Sequence, residues 1–135
     1  MENIKMKVVS SLEKCFFDER IEQREPLTEI TVLKNELVCF QVLYCCDTVE
    51  KRIRQGKVTL TGDLAKYATV RNVVHMPSMQ PMNQNKQDGA YLRREPGMYP
   101  DLLRPLHYRG ETMMPKSRTR SLWVEIKLPE DIRCS

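Results

Sequence analysis

The sequence predicts an all-β protein, an antiparallel β-sandwich with one long proline-rich loop excursion. About six short segments alternate apolar and polar residues, as strands with one buried face do. No segment carries apolar residues at helical spacing over several turns, and glycine and proline separate the alternating segments. With 135 residues, of which 41% are hydrophobic, the chain can bury one core. We therefore expect residues 1–135 to form a single domain.

Strands are predicted along the whole chain. They cover residues 5–10, 29–33, 37–44, 57–61, 67–76 and 121–128. Residues 37–44 form the densest apolar run, which is typical of a central strand covered on both sides. Residues 12–20 predict one or two helical turns at most, because Phe16 and Phe17 do not continue a helical stripe.

The stretch between Pro77 and Pro115 is predicted to contain no regular element. It holds six of the eight prolines and three of the five glycines. Each proline removes a backbone donor and biases the preceding residue toward extended geometry. Residues 79–88 at its centre are mostly polar. Long loops in compact domains are commonly functional or disordered, so this excursion is the first candidate for a surface role.

The chain carries 22 basic and 18 acidic side chains, a net charge of +4. The excess lies in the second half and is densest over residues 104–120. Proteins that bind single strands usually interleave aromatic and positive side chains, and here only Tyr108 and Trp123 are nearby. A solvated loop is the favoured interpretation, and a basic nucleic-acid-binding domain is the less favoured one.

The sequence favours a cytoplasmic protein. No run of 18 apolar residues exists, so no membrane span is predicted. The charged N-terminus lacks the apolar region of a signal peptide. Five cysteines are an odd number, which fits reduced thiols better than a disulfide framework.

No cofactor, metal or catalytic site is predicted. The sequence lacks a glycine-rich phosphate loop, a Gly-x-Ser-x-Gly elbow and a Cys-x-x-Cys pair, and its two histidines lie far apart. Glycoside hydrolysis needs two carboxyl groups about 5–10 Å apart. The adjacent acids Asp18-Glu19 and Glu130-Asp131 lie in polar stretches beside turns, so we interpret them as solvated surface carboxylates.

Three segments carry more specific information. In the first, Glu36 and Gln41 lie beside and within the densest apolar strand. A buried amide without hydrogen bonds costs about 1–3 kcal/mol, so Gln41 is predicted to tie neighbouring strands or a loop together. In the second, a Pro-Gly and a Pro-Asp pair predict two turns that present Tyr99 and Leu102. The third is the strand around Trp123, the only tryptophan.

Taken in order, these segments resemble the N-terminal β-sandwich domain of family 123-like glycoside hydrolases. The resemblance extends over roughly residues 5–132 and is carried by Asn35, Glu36, Phe40, Gln41, Tyr99, Pro100, Asp101, Leu102, Leu103, Leu122, Trp123, Val124 and Pro129. The motif positions that we expect to be structural are Asn35, Glu36, Phe40, Gln41, Pro100, Asp101 and Trp123.

The resemblance implies that the sandwich precedes a (β/α)₈ barrel. In that family the barrel holds the acidic pair used for substrate-assisted cleavage of N-acetyl-β-galactosaminides. The present sequence stops soon after Pro129, where the family continues toward the barrel. We therefore expect residues 1–135 to be an N-terminal fragment of a longer glycoside hydrolase-like protein, and no catalytic residue is carried over.

The implied function is that of a non-catalytic accessory domain, which supports or shapes the substrate cleft of the catalytic barrel, its expected partner. If the domain contacts an oligosaccharide, the candidates are Tyr91, Tyr99 and Tyr108, since aromatic rings supply contact area against sugar faces. The alternative role for these tyrosines is to hold the excursion onto the sandwich. A stand-alone carbohydrate-binding module is the alternative function.

Self-association is a further expectation. A sheet that lacks its final strand keeps an unpaired edge, and the surface that would face the barrel is exposed. Both features favour contact between copies of the chain.

Overall fold

The computed structural model describes residues 3–47, 54–79 and 91–132. Its strands are β1 (Asn3–Ser10), β2 (Leu37–Asp47), β3 (Arg54–Lys57), β4 (Ala68–Ser78), β5 (Gly97–Pro105), β6 (Glu111–Met114) and β7 (Arg120–Lys127). Two single-turn 3₁₀ helices lie at Ile21–Gln23 and Ala65–Tyr67. No helix in the described ranges is long and apolar enough to cross a membrane.

The strands form two antiparallel sheets. The larger sheet has the order β1-β2-β7-β4-β5, and the smaller one consists of β3 and β6. All neighbouring strands run antiparallel. The predicted all-β class is confirmed, and the two sheets are consistent with a β-sandwich.

The two faces of the larger sheet are covered by different parts of the chain. On one face, Val9 and Leu43 are fully buried and cluster with Cys15 and Ile21 from the β1–β2 connection. On the other face, the smaller sheet packs over the part of the larger sheet that carries Tyr44. Because alternate residues of a strand face opposite sides, both faces of β2 contribute buried side chains.

Gln41 ties the larger sheet to the β1–β2 connection, which confirms the prediction from the sequence. Its side chain is 4% exposed. Nε2 lies within hydrogen-bond distance of three carbonyl oxygens, those of Ser10 and Ser11 at 3.3 Å and of Glu13 at 2.7 Å. Its Oε1 accepts a hydrogen bond from Ser121 Oγ at 2.8 Å. A single amide therefore joins β2, β7 and the connection.

Four of the predicted strands are confirmed with small shifts of their ends, namely those at 5–10, 37–44, 67–76 and 121–128. The predicted strand at 29–33 is wrong, because this segment pairs with no other strand in the described ranges and leaves Ile30 exposed. The predicted strand at 57–61 overlaps β3 only at Lys57. Residues 12–20 form turns, and the first 3₁₀ helix begins only at Ile21.

The prediction that no regular element lies between Pro77 and Pro115 is wrong, because β5 and β6 both lie there. β5 is an edge strand, where Pro100 and Pro105 are tolerated because only one side of the strand is paired. An irregularity in the β4–β5 register leaves Asp101 without a partner on β4. The polar centre at 79–88 lies, apart from its first residue, outside the described residues.

Four cysteines fall within the described ranges, and all four are free thiols: Cys15, Cys39, Cys45 and Cys46. Burial raises the pKa of the Cys15 thiol to about 11. The reactive thiolate is therefore disfavoured at neutral pH, as expected for a thiol that packs in the core. Cys134 lies outside the described residues.

Candidate functional site

A cleft of about 650 Å³ lies between the smaller sheet and one face of the larger sheet. Residues from six strands and from the turn after β5 form its walls. Its volume is in the range of small-molecule sites, which are typically about 300–1,000 Å³. Four of its polar residues, Tyr44, Asn72, Arg104 and Arg120, come from four different strands of the larger sheet.

Strand register brings these four side chains to one face. Tyr44 on β2 is paired with Arg120 on β7, and Asn72 on β4 is paired with Arg104 on β5. Asn72 is also paired with Leu122, which lies two residues beyond Arg120 on β7. Residues two apart on a strand share a face, so both pairs point toward the smaller sheet.

Short polar contacts join the two sheets at the base of the cleft. The hydroxyl of Tyr44 lies 2.9 Å from Thr112 Oγ1 and 3.1 Å from the carbonyl oxygen of Met113, both on β6. Thr112 Oγ1 donates to Asn72 Oδ1 at 2.6 Å. Burial raises the pKa of Tyr44, so this phenol remains protonated and is a hydrogen-bond donor at neutral pH.

Arg120 places a positive charge in the wall of the cleft. Its side chain is half-buried, its Nε is fully buried, and this nitrogen has no hydrogen-bond partner in the described part of the chain. The charge also acts on His75. Burial, and to a smaller extent the charge of Arg120, lowers the pKa of that imidazole.

His75 is a buried neutral ring outside the cleft lining. It is 6% exposed, packs edge-to-face with Phe17 at 5.5 Å between ring centroids, and neither ring nitrogen makes a hydrogen bond of good geometry to a described residue. The ring therefore behaves as an aromatic packing residue, and protonation would introduce a poorly solvated charge.

The rim of the cleft carries the turn between β5 and β6. His107 Nδ1 lies 3.5 Å from Glu111 Oε2. Next to it, Tyr108 is 81% exposed; its ring lies 4.1 Å from the His107 ring at a tilt of 45°, and the guanidinium of Arg109 lies 5.1 Å from its centroid. Tyr108 is thus a solvent-facing aromatic ring beside the cleft.

The other two tyrosine candidates lie elsewhere. Tyr99 is near the start of β5, whereas Tyr108 follows its end, and the strand between them is about 20 Å long at the usual rise. Tyr99 is half-buried, donates to the carbonyl oxygen of Glu95 at 2.6 Å and packs edge-to-face with Phe16. Tyr91 is half-buried with the Arg94 guanidinium 5.5 Å from its ring centroid. The fold does not assemble the three rings into one sugar-binding platform.

The motif residues at the start of β2 stabilise the turn that precedes it. Asn35 has a positive φ of 60°, a conformation that asparagine tolerates better than most residues. Glu36 accepts a hydrogen bond from the backbone N–H of Leu33 at 2.7 Å, and its carbonyl accepts one from Leu128 at 2.9 Å. Phe40 is half-buried.

The remaining motif positions are also engaged within the chain. Pro100 is buried, and its carbonyl oxygen accepts from Lys14 Nζ at 3.3 Å. Asp101 pairs with the same lysine. Trp123 is half-buried and donates through Nε1 to Glu125 Oε1 at 3.0 Å. Through Pro100 and Asp101, Lys14 links the β1–β2 connection to β5.

Several acidic residues in the described ranges, among them Asp18 and Glu125, are held in ion pairs with arginines. A hydrogen bond from Arg93 lowers the pKa of Asp18, and one from Arg71 lowers the pKa of Glu125. A general acid in glycoside cleavage needs the opposite shift. No group of three or more His, Cys, Asp or Glu side chains among these residues is placed to hold a metal ion.

The fold is similar to part of a solved structure, that of a family 123 glycoside hydrolase from Clostridium perfringens studied for glycolipid glycan hydrolysis. The TM-score is 0.62, and the match covers 96% of this chain. This chain has the fold of a segment of that enzyme. Because the two sequences are only 9% identical, the similarity establishes the fold and not the activity. The chain spans 22% of the length of that enzyme.

Comparisons of sequence add no relative. No family model matches this chain, and no curated protein matches it significantly. The resemblance to family 123 glycoside hydrolases that the sequence motifs predicted is supported at the level of the fold.

Sequence reasoning did not find the cleft. Its central residues, Tyr44, Asn72, Thr112 and Arg120, follow one another at intervals of 8 to 40 positions along the chain and share no local motif. They meet only because β7 inserts between β2 and β4 and because β6 lies above them. The sequence does show a polar residue within each of two apolar strands, Asn72 in β4 and Arg120 in β7. Without the order of the strands in space, neither side chain could be assigned to a face of the sheet.

Proposed function

We propose that this chain is a non-catalytic accessory β-sandwich domain of a glycoside hydrolase, which supports or shapes the substrate cleft of a (β/α)₈ catalytic barrel. The observation that carries the proposal is the fold match, which includes nearly all of this chain but only 22% of a family 123 glycoside hydrolase. A segment of that size accounts for one domain of such an enzyme and leaves room for a barrel of about 250 residues or more.

The ion pairs of the described residues support a structural role. Glu13 and Glu19 both pair with Arg24, and Asp18 pairs with Arg93. The hydrogen bond from Arg93 lowers the pKa of Asp18, so this carboxyl group is a poor proton donor at neutral pH. Catalysis would then depend on residues of the barrel.

An exposed apolar strip on β1 supplies a surface against which a barrel could pack. Ile4, Met6 and Val8 alternate along this strand, so they share one face of the sheet, and all three are exposed. Contiguous exposed apolar surface commonly marks an interaction site. In the absence of the barrel, the same strip would favour self-association of the chain.

The mass and activity of the native protein test the accessory role. Antibodies raised against the folded chain should detect, in extracts of the source cells, a protein well above the 15.9 kDa of this chain. The immunoprecipitate should hydrolyse a chromogenic N-acetyl-β-galactosaminide, whereas the chain of 135 residues alone should not. A native protein of 15.9 kDa, or turnover by the isolated chain in proportion to its concentration, would overturn the proposal.

A stand-alone carbohydrate-binding module is the second candidate, favoured by the exposure of Tyr108. Calorimetric titration with N-acetylgalactosamine-containing oligosaccharides tests it. Saturable binding by the folded chain that Tyr108→Ala abolishes and Tyr99→Phe retains would favour this module. Binding of nucleic acid by the chain, with an affinity that falls steeply as the salt concentration rises, would instead favour a basic nucleic-acid-binding domain that uses residues 104–120.

A further inference from the structure

Half-buried arginines in the described ranges are paired with carboxylates, with one exception. Those in the described ranges are Arg24, Arg71, Arg93 and Arg120. The first pairs with Glu13 and Glu19, the second with Glu125 and the third with Asp18. Arg120 is the exception: its Nε is fully buried and has no hydrogen-bond partner among the residues that the structure describes.

An unpaired guanidinium in this position is unfavourable for folding alone. Withdrawing a charge from water costs free energy unless an opposite charge or hydrogen-bond acceptors replace the lost solvent. Proteins keep buried polar groups without a partner mainly at binding sites, because there the ligand supplies the missing partner. The position of Arg120 in the wall of a cleft of about 650 Å³ identifies where that partner would enter.

The other residues of the cleft indicate the kind of ligand. Arg104 lies two strands away from Arg120 on the same face, about 10 Å across the sheet at the usual strand spacing, with Asn72 on the strand between them. Gln55 adds a second amide to the lining. Amides and hydroxyls recognise sugar hydroxyl groups, and the exposed ring of Tyr108 at the rim can cover an apolar sugar face.

The charge of the lining favours a monoanion. Arg104 and Arg120 contribute two positive charges, Glu111 contributes one negative charge, and His107 lies beside that carboxylate. The two arginines and the one glutamate leave a balance of one positive charge. A carboxylate matches this balance and accepts two parallel hydrogen bonds from an arginine.

We propose that the cleft between the two sheets binds an acidic saccharide, a sugar that carries a carboxylate, with Arg120 as the group that recognises the carboxylate. This site lies within the sandwich and does not depend on a catalytic barrel. Its ligand is distinct from the N-acetylgalactosamine oligosaccharides expected for a neutral carbohydrate-binding module.

Titration with a matched pair of sugars tests the proposal on the full chain. Methyl β-D-glucuronide and methyl β-D-glucoside differ only in the carboxylate, and chemical shifts of the ¹⁵N-labelled protein detect weak binding of either. We expect saturable shifts for the glucuronide and at least about tenfold weaker binding of the glucoside, since hydrogen bonds to a charged group are the stronger ones.

Three variants locate the binding. Arg120→Gln and Arg104→Gln should each weaken glucuronide binding by about tenfold or more. Arg118→Gln is the control, because this exposed arginine makes the same change of charge while its guanidinium lies over the Phe17 ring, outside the cleft lining. Arg120→Gln should not lower the melting temperature, since the native charge has no described partner to lose. If the melting temperature falls, the exposed Arg104→Gln variant still reports on binding.

Each other outcome contradicts the proposal. Equal binding of both sugars means that the carboxylate is not recognised. Equal binding of sodium acetate, inorganic sulfate or phosphate at matched ionic strength means that the cleft holds anions and not a saccharide. No binding of the glucuronide, or equal loss in Arg118→Gln, removes the role assigned to Arg120. The hydrolysis and mass measurements above are unaffected by these results, so the two proposals can fail separately.

Discussion

The amide of Gln41 makes a sharp prediction about stability. Gln41→Leu keeps a side chain of similar length but removes two hydrogen-bonding groups. These are the acceptor for the hydroxyl of Ser121, a residue that is 2% exposed, and the donor to the Glu13 carbonyl oxygen. Each buried polar group left without a partner costs about 1–3 kcal/mol. Two such groups give a loss of about 3 kcal/mol in the free energy of unfolding. For a chain of this size this corresponds to a melting temperature lower by about 10 °C.

Urea denaturation followed by tryptophan fluorescence measures the effect, because Trp123 lies opposite Gln41 in the β2–β7 register. Ser121→Ala alone should cost about 1–2 kcal/mol. The double variant should cost less than the sum of the two single changes by about 1 kcal/mol, since both partners of one bond are then removed. Gln23→Leu, an exposed glutamine, is the control and should change stability by less than about 0.5 kcal/mol.

This reasoning is refuted if the free energy of unfolding of Gln41→Leu lies within about 0.5 kcal/mol of that of the native chain, because this difference is well below the cost expected for unpaired buried groups. Additive single and double variants would show in addition that the Gln41–Ser121 hydrogen bond carries no coupling. Either outcome would mean that solvent reaches these groups when the amide is removed.

Three further predictions concern His75, Gly110 and Arg93. Burial lowers the pKa of His75 below its unfolded value of about 6.5, so the unfolded state binds more protons and stability falls as the pH drops below that value. His75→Phe should remove this loss of stability between pH 7.5 and pH 5.5, as measured by urea titration at both pH values. An unchanged dependence of stability on acid would contradict the prediction. Gly110→Ala should lower the free energy of unfolding by about 1–2 kcal/mol, because the φ of Gly110 is +71° and the new Cβ would lie 3.3 Å from a carbonyl oxygen. Gly97→Ala is the control: this glycine has no close neighbour and an ordinary φ, so the melting temperature should fall little, if at all. Arg93→Ala should lower the free energy of unfolding by about 1 kcal/mol, because it removes a partly exposed ion pair with Asp18 and a guanidinium 3.7 Å from the Phe16 ring centroid. If the variant loses the same stability at high and at low salt, the contact with the ring dominates.

Strands with strong alternation or dense apolar content could be predicted from the sequence. β1, β2, β4 and β7 each bury one or both faces against the rest of the chain, so the period of their apolar residues reflects the fold directly. The segment at 29–33 has the same alternation, but it leaves Ile30 exposed and has no described strand partner. Alternation alone therefore does not distinguish a strand from an extended connection over the surface.

β5 was not predicted from the sequence because of its prolines. Proline excludes a segment from the centre of a sheet but not from its edge, where one side of the backbone faces no neighbouring strand. Pro100 and Pro105 occupy such an edge. Whether a strand lies at an edge depends on the order of strands in space, which the local sequence does not contain. The same missing information hid the cleft, since Arg120 and Asn72 are unremarkable polar residues until β7 and β4 are neighbours.

The order of strands also determines when the larger sheet can form. β7 is the last strand in the described ranges, yet it lies at the centre and joins β2 to β4. Before residues 120–127 are available, the described strands of the larger sheet can form only the β1–β2 and β4–β5 pairs, and isolated two-stranded sheets are at best marginally stable in water. Closing the contact between Leu37 and Lys127 requires ordering a long loop, which slows folding. During synthesis the two hairpins therefore remain unjoined, with both inner edges open, until β7 is translated and inserts between them.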